Sequence, residues 1–326
     1  MSGRGTMKSR PLGALPVSVS EIGLGTAQLA NVDGQVRGVK LVPVDVARMI
    51  LRVAIDRGVT FFDTGDEYGA AEALLGELPR DVKRTVFIAT KAGRKPDGAR
   101  EFLPAYLEER VNQSLRRLGV ERLDLFQLNK PSAAMLQDED LAAFLNRLKA
   151  EGKIRFTGVV AGDMEAGVAA IRSGVVDCLQ VLYNLLYLET EALIESAHRA
   201  GVGVIVRSPL NSGVLSGAYT PATSFPAHDE RSLYFTGRAF EQRLDALRRI
   251  QAALNVSDRT LLEFALTFIL SNRAVSVAIP GASRVDQVER YTDCSGLELF
   301  SESELHGIRG VVAREMLGCN HAFQTS

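Results

Sequence analysis

From Glu21 onward the chain repeats one pattern: a short apolar, β-branched run that ends on a polar residue, then an amphipathic stretch closed by glycine. Thr60–Asp63, Thr85–Lys91, Leu123–Asn129, Ile154–Val160, Cys178–Asn184 and Gly203–Ser208 read as buried strands, with Glu21–Gln28 before them and Ala274–Gly281 after them. Between them, Val46, Met49, Ile50, Val53 and Ala54 share one helix face that ends at Gly58, and Leu107, Val111, Leu115 and Leu118 share another ahead of Gly119. Further helices are expected over Asp138–Glu151, Met164–Arg172, Thr190–Ala200, Phe240–Leu254, Arg259–Ser271 and Arg284–Thr292, with Ser303–Met316 as an extra C-terminal one. Eight strand–helix alternations at a spacing of roughly 30 residues predict an α/β fold, a (β/α)8 TIM barrel, rather than an open sheet. No G-x-G-x-x-G opens a helix, so the open dinucleotide-binding sheet lacks its phosphate loop. Leu12–Ser20 suggests an N-terminal hairpin, and the basic, Gly/Ser-rich span 1–10 reads as a disordered leader. Nothing resembling a linker divides 11–326, which reads as a single domain.

Charge excludes other classes. The chain carries 38 Lys and Arg against 39 Asp and Glu without long blocks, so it advertises neither a nucleic-acid nor a membrane surface. No apolar stretch approaches the ~18 residues of a membrane-spanning helix. Cys178, Cys294 and Cys319 are widely spaced with no CxxC, which argues against a disulfide framework or a zinc site. A reducing cytoplasm without a metal centre is the expectation.

The chemistry gathers in Thr60–Gly69 and Thr85–Lys91. In a parallel α/β protein the carboxyl ends of the strands collect the site, and Asp63, Tyr68 and Lys91 all fall there. A free phenol is a poor proton donor at neutral pH; an ammonium beside it favours the phenolate, and a carboxylate beside the ammonium keeps that charged and oriented. Such a trio is a tunable general acid for a carbonyl oxygen. Taken singly, Tyr68 reads as a surface aromatic, Lys91 as a solvated amine and Asp63 as a helix cap. Asn129, Gln180 and Arg207 stand at other strand ends on the same rim. Asp66, Glu67 and Lys130 are rim residues that read equally as substrate contacts or solvated charges, and His228 reads as incidental. After the last strand, Gly281-Ala282-Ser283-Arg284 opens a helix whose backbone N–H groups, with Ser283, suit a phosphate, and the Arg284 guanidinium suits a 2′-phosphate.

Phe61-Phe62-Asp63-Thr64-Gly65-Asp66-Glu67-Tyr68-Gly69 resembles the signature of the aldo-keto reductases. The resemblance runs from Gly23-Leu24-Gly25-Thr26 to Ile279-Pro280-Gly281-Ala282, through Gly152-Lys153-Ile154-Arg155-Phe156-Thr157-Gly158-Val159, Gln180-Val181-Leu182-Tyr183-Asn184 and Ser208-Pro209-Leu210 with Gly213, Leu215 and Gly217. It implies hydride transfer between NADP(H) and a small carbonyl or alcohol, with Tyr68 as proton donor, Lys91 depressing its pKa and Asp63 holding Lys91. The family's fourth catalytic residue is a histidine at the end of the fourth barrel strand, where this chain has Asn129. An amide orients a carbonyl by hydrogen bonding but cannot relay a proton near neutrality.

On the cofactor side the resemblance implies Gly25, Thr26, Gln180 for the carboxamide, Arg207 stacking on the nicotinamide, the Ser208, Pro209, Leu210, Gly213 and Leu215 loop, and Gly281, Ser283, Arg284 and Gln287 for the adenosine end. Val160-Ala161 stand where the family has a Ser-Asn pair, and Tyr291 where it has asparagine. The long loop after Ser208 reads as a strap over a dinucleotide or as an ordinary surface loop. The leading expectation is an NADP-dependent oxidoreductase of a small polar metabolite. Two alternatives stay open: redox-neutral elimination or epimerisation, and a nucleotide-sensing barrel of the kind seen in potassium-channel β subunits. Neither a monomer nor a homo-oligomer is favoured.

Overall fold

The computed structural model describes residues 7–31, 40–95, 97–227, 229, 231–255 and 258–316. An antiparallel hairpin, β1 (Ser9–Pro11) and β2 (Ser18–Ser20), precedes eight parallel strands. These are β3 (Leu24–Gly25), β4 (Phe61–Asp63), β5 (Phe87–Ala92), β6 (Leu123–Asn129), β7 (Ile154–Val160), β8 (Cys178–Leu182), β9 (Gly203–Arg207) and β10 (Val277–Ala278). They lie in sequence order in one sheet. Parallel bridges from Ile22 to Ala278 and from Gly25 to Gly281 join the first strand to the last and close it into a (β/α)8 barrel.

Pleating sorts the lumen into layers, because residues two apart on a strand face the same way. Phe61, Ala89, Leu125, Cys178 and Ile205 form an apolar layer inside the barrel. Two residues further along the same strands stand Asp63, Lys91, Gln127, Gln180 and Arg207. The lumen therefore changes from apolar to polar in one pleat. Its other end is plugged: Leu12 and Val19 of the hairpin pack into the apolar layer, and the Ala14 amide donates to the Gly201 carbonyl at 2.8 Å. Gly13 makes this seating possible. It sits at φ +62°, and a Cβ there would lie 2.4 Å from the Gly203 nitrogen.

Three sequence expectations need correction, and three short helices went unread. Ser9 and Arg10, assigned to the leader, belong to β1, and Arg10 bonds Glu21 at 2.7 Å; residues 1–6 lie outside the described residues. The first barrel strand is short, since Ala27–Leu29 turns into a 3-10 helix; the ladder ends at Thr26, whose amide and hydroxyl donate to the Asp63 carbonyl at 2.9 and 3.0 Å. The last strand likewise keeps only Val277–Ala278 and the bridge at Gly281. Short helices at Ala71–Gly76, Arg80–Lys83 and Arg231–Tyr234 carried no clear periodicity, being only four to six residues long. The C-terminal helix is present as Glu302–Glu315. His228, Cys319 and His321 lie outside the described residues.

Candidate active site

Four of the five residues of the polar layer, all but Arg207, form one hydrogen-bond network. Lys91 Nζ donates to Asp63 Oδ1 at 2.6 Å and to the Thr64 carbonyl at 2.7 Å. The other carboxylate oxygen of Asp63 accepts from Gln127 Nε2 at 3.0 Å and from Gln180 Nε2 at 2.9 Å, and Gln180 Nε2 also reaches Gln127 Oε1 at 3.1 Å. Sequence reasoning missed Gln127, although a polar residue between Leu125 and Asn129 on one strand face was a usable signal. Gln180, expected at a carboxamide, has its Nε2 on Asp63 here.

Tyr68 is brought over this network by the loop after β4. The Thr64 amide donates to the Ala89 carbonyl at 2.8 Å and the Asp66 amide to the Lys91 carbonyl at 3.0 Å, so the loop extends the β4–β5 ladder before it turns. At Gly65 a Cβ would lie 3.1 Å from Lys91 Cγ and 3.5 Å from the Tyr68 ring, which is why a glycine precedes the descent. Lys91 Nζ then sits 4.6 Å from the Tyr68 ring centroid. Asp66 is buried and anchors the turn: its carboxylate takes Arg110 Nε at 2.6 Å and its carbonyl takes Arg117 Nη1 at 2.9 Å. These bonds hold the loop in place.

Burial and charge oppose each other here. Burial pulls Lys91 down, but Asp63 and Tyr68 outweigh it and hold its pKa above the usual lysine value, so the ammonium is secure. Burial is also the largest influence on Tyr68 and pushes its phenol up; Lys91 pulls the other way and does not prevail. Lys91 thus acts in the expected direction, yet the net shift is opposite to the expected depression. Desolvation keeps Tyr68 protonated, which is the state a proton donor needs.

Asn129 ends β6 close by. Its Nδ2 donates to Glu67 Oε1 at 2.9 Å, and its carbonyl accepts from Arg100 Nη1 at 2.7 Å. Glu67 also faces Arg94 at 3.6 Å, and burial, ahead of the neighbouring charges, raises its carboxyl. Lys130 follows in left-handed backbone at φ 60°.

The side of the barrel around β9 has a different character. Arg207 at the end of β9 has a buried Nε without a hydrogen-bond partner among the described residues, and burial lowers its pKa against the pull of Tyr68, Tyr187 and Asp63. The loop beyond it holds Ser208 at φ 50°, Asn211 at φ 48°, Ser212 at φ 53° and Gly213 at φ 99°. Non-glycine residues in left-handed backbone are held strain, of the kind that collects where ligands bind. Tyr219, in the strap, donates to the Ser212 carbonyl at 2.8 Å, and Arg231 donates to the Tyr219 hydroxyl at 3.1 Å. Leu210 and Leu215 are buried, so they offer backbone rather than side chains; Pro209 lies between Ser208 and Leu210 in the same turn. An orphaned guanidinium nitrogen beside a strained loop fits a planar, polar ligand lying across both.

At the helix start expected to meet an adenosine phosphate, the polar groups are already engaged. The Ser283 and Arg284 amides both donate to Gln287 Oε1, at 2.8 and 3.1 Å, which caps the helix Val285–Asp293. The Arg284 guanidinium is held by both oxygens of Asp286 at 2.8 and 2.9 Å. Tyr291 donates to the Gly281 carbonyl at 3.2 Å, and the Gln28 side chain covers Gly281, where a Cβ would lie 1.9 Å from Gln28 Oε1. A phosphate at this helix start has to displace these internal partners.

A family model described as the Aldo/keto reductase family matches residues 21–313. The chain belongs to that family. Aldo-keto reductase str7 from Strobilurus tenacellus is 30% identical over 300 residues, covering 89% of this chain and 88% of its own. L-glyceraldehyde 3-phosphate reductase from Escherichia coli is 28% identical over 285 residues, covering 79% and 81%. Among solved structures, a glycerol dehydrogenase from Gluconobacter oxydans superposes with a TM-score of 0.79 at 25% identity, covering 97% of each chain. This aldo/keto reductase barrel is thus an oxidoreductase by family, matched over residues 21–313. No helix among the described residues is long and apolar enough to cross a membrane.

Proposed function

We propose that this reductase transfers a hydride between NADP(H) and a carbonyl or hydroxyl group of a small polar metabolite, with Tyr68 as the general acid or base. The observation that carries the reading is the buried Asp63–Lys91 pair at 2.6 Å set beneath the Tyr68 ring at the carboxyl ends of the strands. The glyceraldehyde phosphate reductase and glycerol dehydrogenase among its relatives point to small polyols and their aldehydes.

When bound, the nicotinamide supplies or accepts the hydride. The protein's residues manage the proton and the oxygen. Tyr68 gives its hydroxyl proton to the carbonyl oxygen, and the fixed Lys91 ammonium stabilises the phenolate that remains. Asp63 keeps Lys91 charged and in place, and Gln127 and Gln180 keep Asp63 from rotating. An amide nitrogen carries two hydrogens, so Asn129 retains one for the substrate oxygen while the other serves Glu67. It stands in for the family's histidine as an orienting donor and relays no proton. Arg207 and the 208–213 loop hold the nicotinamide and pyrophosphate part, and the Ser283–Gln287 segment the adenosine part.

Tyr68→Phe tests this directly. Turnover of a responsive aldehyde should fall by about 10²–10⁴-fold, while fluorescence titration with NADPH gives an affinity close to the parent's. Full activity in the variant would remove Tyr68 from the chemistry, and failure of the parent to bind either NADPH or NADH would remove the cofactor.

A further inference from the structure

Asn129 keeps a single freedom in this structure. Its backbone pairs with Val160 in the β6–β7 ladder, and the amide that follows it, that of Lys130, donates to the Val160 carbonyl at 3.1 Å. Its own carbonyl accepts from Arg100 Nη1 at 2.7 Å. Pleating puts the side chain two residues beyond Gln127, one layer above the network of the lumen. What stays open is which end of the amide faces which way, since its oxygen and nitrogen are alike in size and opposite in hydrogen bonding.

Glu67 closes that choice. Its Oε1 lies 2.9 Å from Asn129 Nδ2, and an ionised carboxylate accepts but never donates, so only the nitrogen end of the amide satisfies it. Turned over, the amide would set two oxygens face to face and would put Oδ1 where the nitrogen now stands, with no hydrogen for a substrate oxygen. The carboxylate is itself held in place. Asp66 on one side is fixed by Arg110 and Arg117, and Tyr68 on the other donates its amide to the Gly65 carbonyl at 3.0 Å. Arg94 stands 3.6 Å from Oε2, which leaves Oε1 to the amide.

We propose that Glu67 is a positioning residue for the carbonyl reaction: as a carboxylate it fixes Asn129 as a donor, and on protonation it releases the amide to turn. The proposal rests on the carbonyl chemistry assigned above and adds to it a group that acts through Asn129. The Arg94 guanidinium opposes a proton on Oε2, so the proton goes to Oε1, from which it donates to Oδ1 of a turned amide. Burial is the largest influence on the Glu67 carboxyl and raises it; Arg94, Lys91 and Arg100 pull it down, and Asp66 adds to the rise. Lys130, whose stem lies along Gly162 where a Cβ would be 3.3 Å from Lys130 Cβ, also acts on it from the end of β6. The net shift is upward, so the donor orientation is enforced above that raised pKa and lost as pH falls through it, at a pH above the ordinary glutamate value of 4.5.

Two measurements on the full chain test this. The first is the pH dependence of kcat/KM for reduction of glyceraldehyde by NADPH, from initial rates. The parent should show an acid limb. Glu67→Gln fills the same space but takes either end of the amide, so it should lose the limb and lower the plateau about 2- to 10-fold. Arg94→Gln, a second route should the first variant not fold, should move the limb to higher pH and keep the plateau. The second measurement needs no turnover: NMR of the side-chain amides in protein carrying isotope-labelled asparagine, where the Asn129 signal is the one absent from Asn129→Ser. That signal should titrate with the midpoint of the limb in the parent and stay flat in Glu67→Gln. An Asn129 signal that ignores pH in the parent, or one acid limb shared unchanged by the parent and both variants, overturns the role of Glu67. A parent that reduces no glyceraldehyde while its Asn129 signal titrates, and goes flat in Glu67→Gln, would remove the carbonyl chemistry and uphold the hold of Glu67 on Asn129.

Discussion

The lumen of the barrel and its rim, a few ångströms apart, treat buried charge in opposite ways. In the lumen, Asp63 has Lys91 on one oxygen and Gln127 and Gln180 on the other, so a buried carboxylate is matched by an ammonium and two amides. At the rim, Arg94 leans on Glu67 at 3.6 Å and Arg100 on the Asn129 carbonyl at 2.7 Å, while Arg207 keeps a buried Nε without a hydrogen-bond partner among the described residues. The first arrangement satisfies its carboxylate from within, and the second leaves a guanidinium nitrogen unmet. A group that has to keep its geometry is best held in a satisfied layer.

That contrast can be broken from either side. The largest effect on stability is expected from Lys91→Met, which leaves the Asp63 carboxylate buried without its counter-charge. Losing one partner of a buried pair costs about 3–5 kcal/mol, read as a lowered urea midpoint. A loss under about 1 kcal/mol would mean that water or the two glutamines compensate.

Lys130→Met should act in the other direction. Because its pKa falls from 10.5 unfolded to about 7 folded, the unfolded chain binds more protons between those values, and the Lys130 contribution to stability improves as pH rises from 7 to 10.5. Below pH 7 the charge is a burden. Removing it should raise stability by about 1 kcal/mol after allowance for its partial exposure, with the gain shrinking toward pH 10. Destabilisation at pH 6 would show that the lysine stem, not its charge, is what matters at Gly162.

The smallest effect concerns the cofactor end. Asp286→Asn frees the Arg284 guanidinium and removes a carboxylate from the neighbourhood of a 2′-phosphate. An exposed pair of this kind is worth about 0.2–1 kcal/mol, so NADPH should bind a few-fold tighter while NADH changes little. Equal shifts for both nucleotides would place the 2′-phosphate elsewhere.

Much of this site is legible along the chain because strand ends are. Asp63, Lys91, Asn129 and Arg207 stand at or next to the end of an apolar run, and barrel closure brings such termini together; Gln180 lies inside its run and was picked out only through the family resemblance. Gln127 escaped notice because it lies inside a run rather than at its end. The engagement of Gln180 by Asp63, of Asn129 by Glu67 and of Arg284 by Asp286 was equally hidden, for these are choices among several partners that only distance decides. The first and last barrel strands were read too long for a related reason: apolar residues there continue to be buried after the ladder has stopped.

By itself the sequence determined the number and order of the strands, the helix faces between them and the identity of the groups delivered to the rim. Those follow from periodicity and chain connectivity, which are local. The tertiary structure decided which charges meet. It put Lys91 against Asp63 across 28 residues, and it set Asn129 against Glu67 across 62. Electrostatic energy depends on separation in space and on burial, and neither is written in residue order.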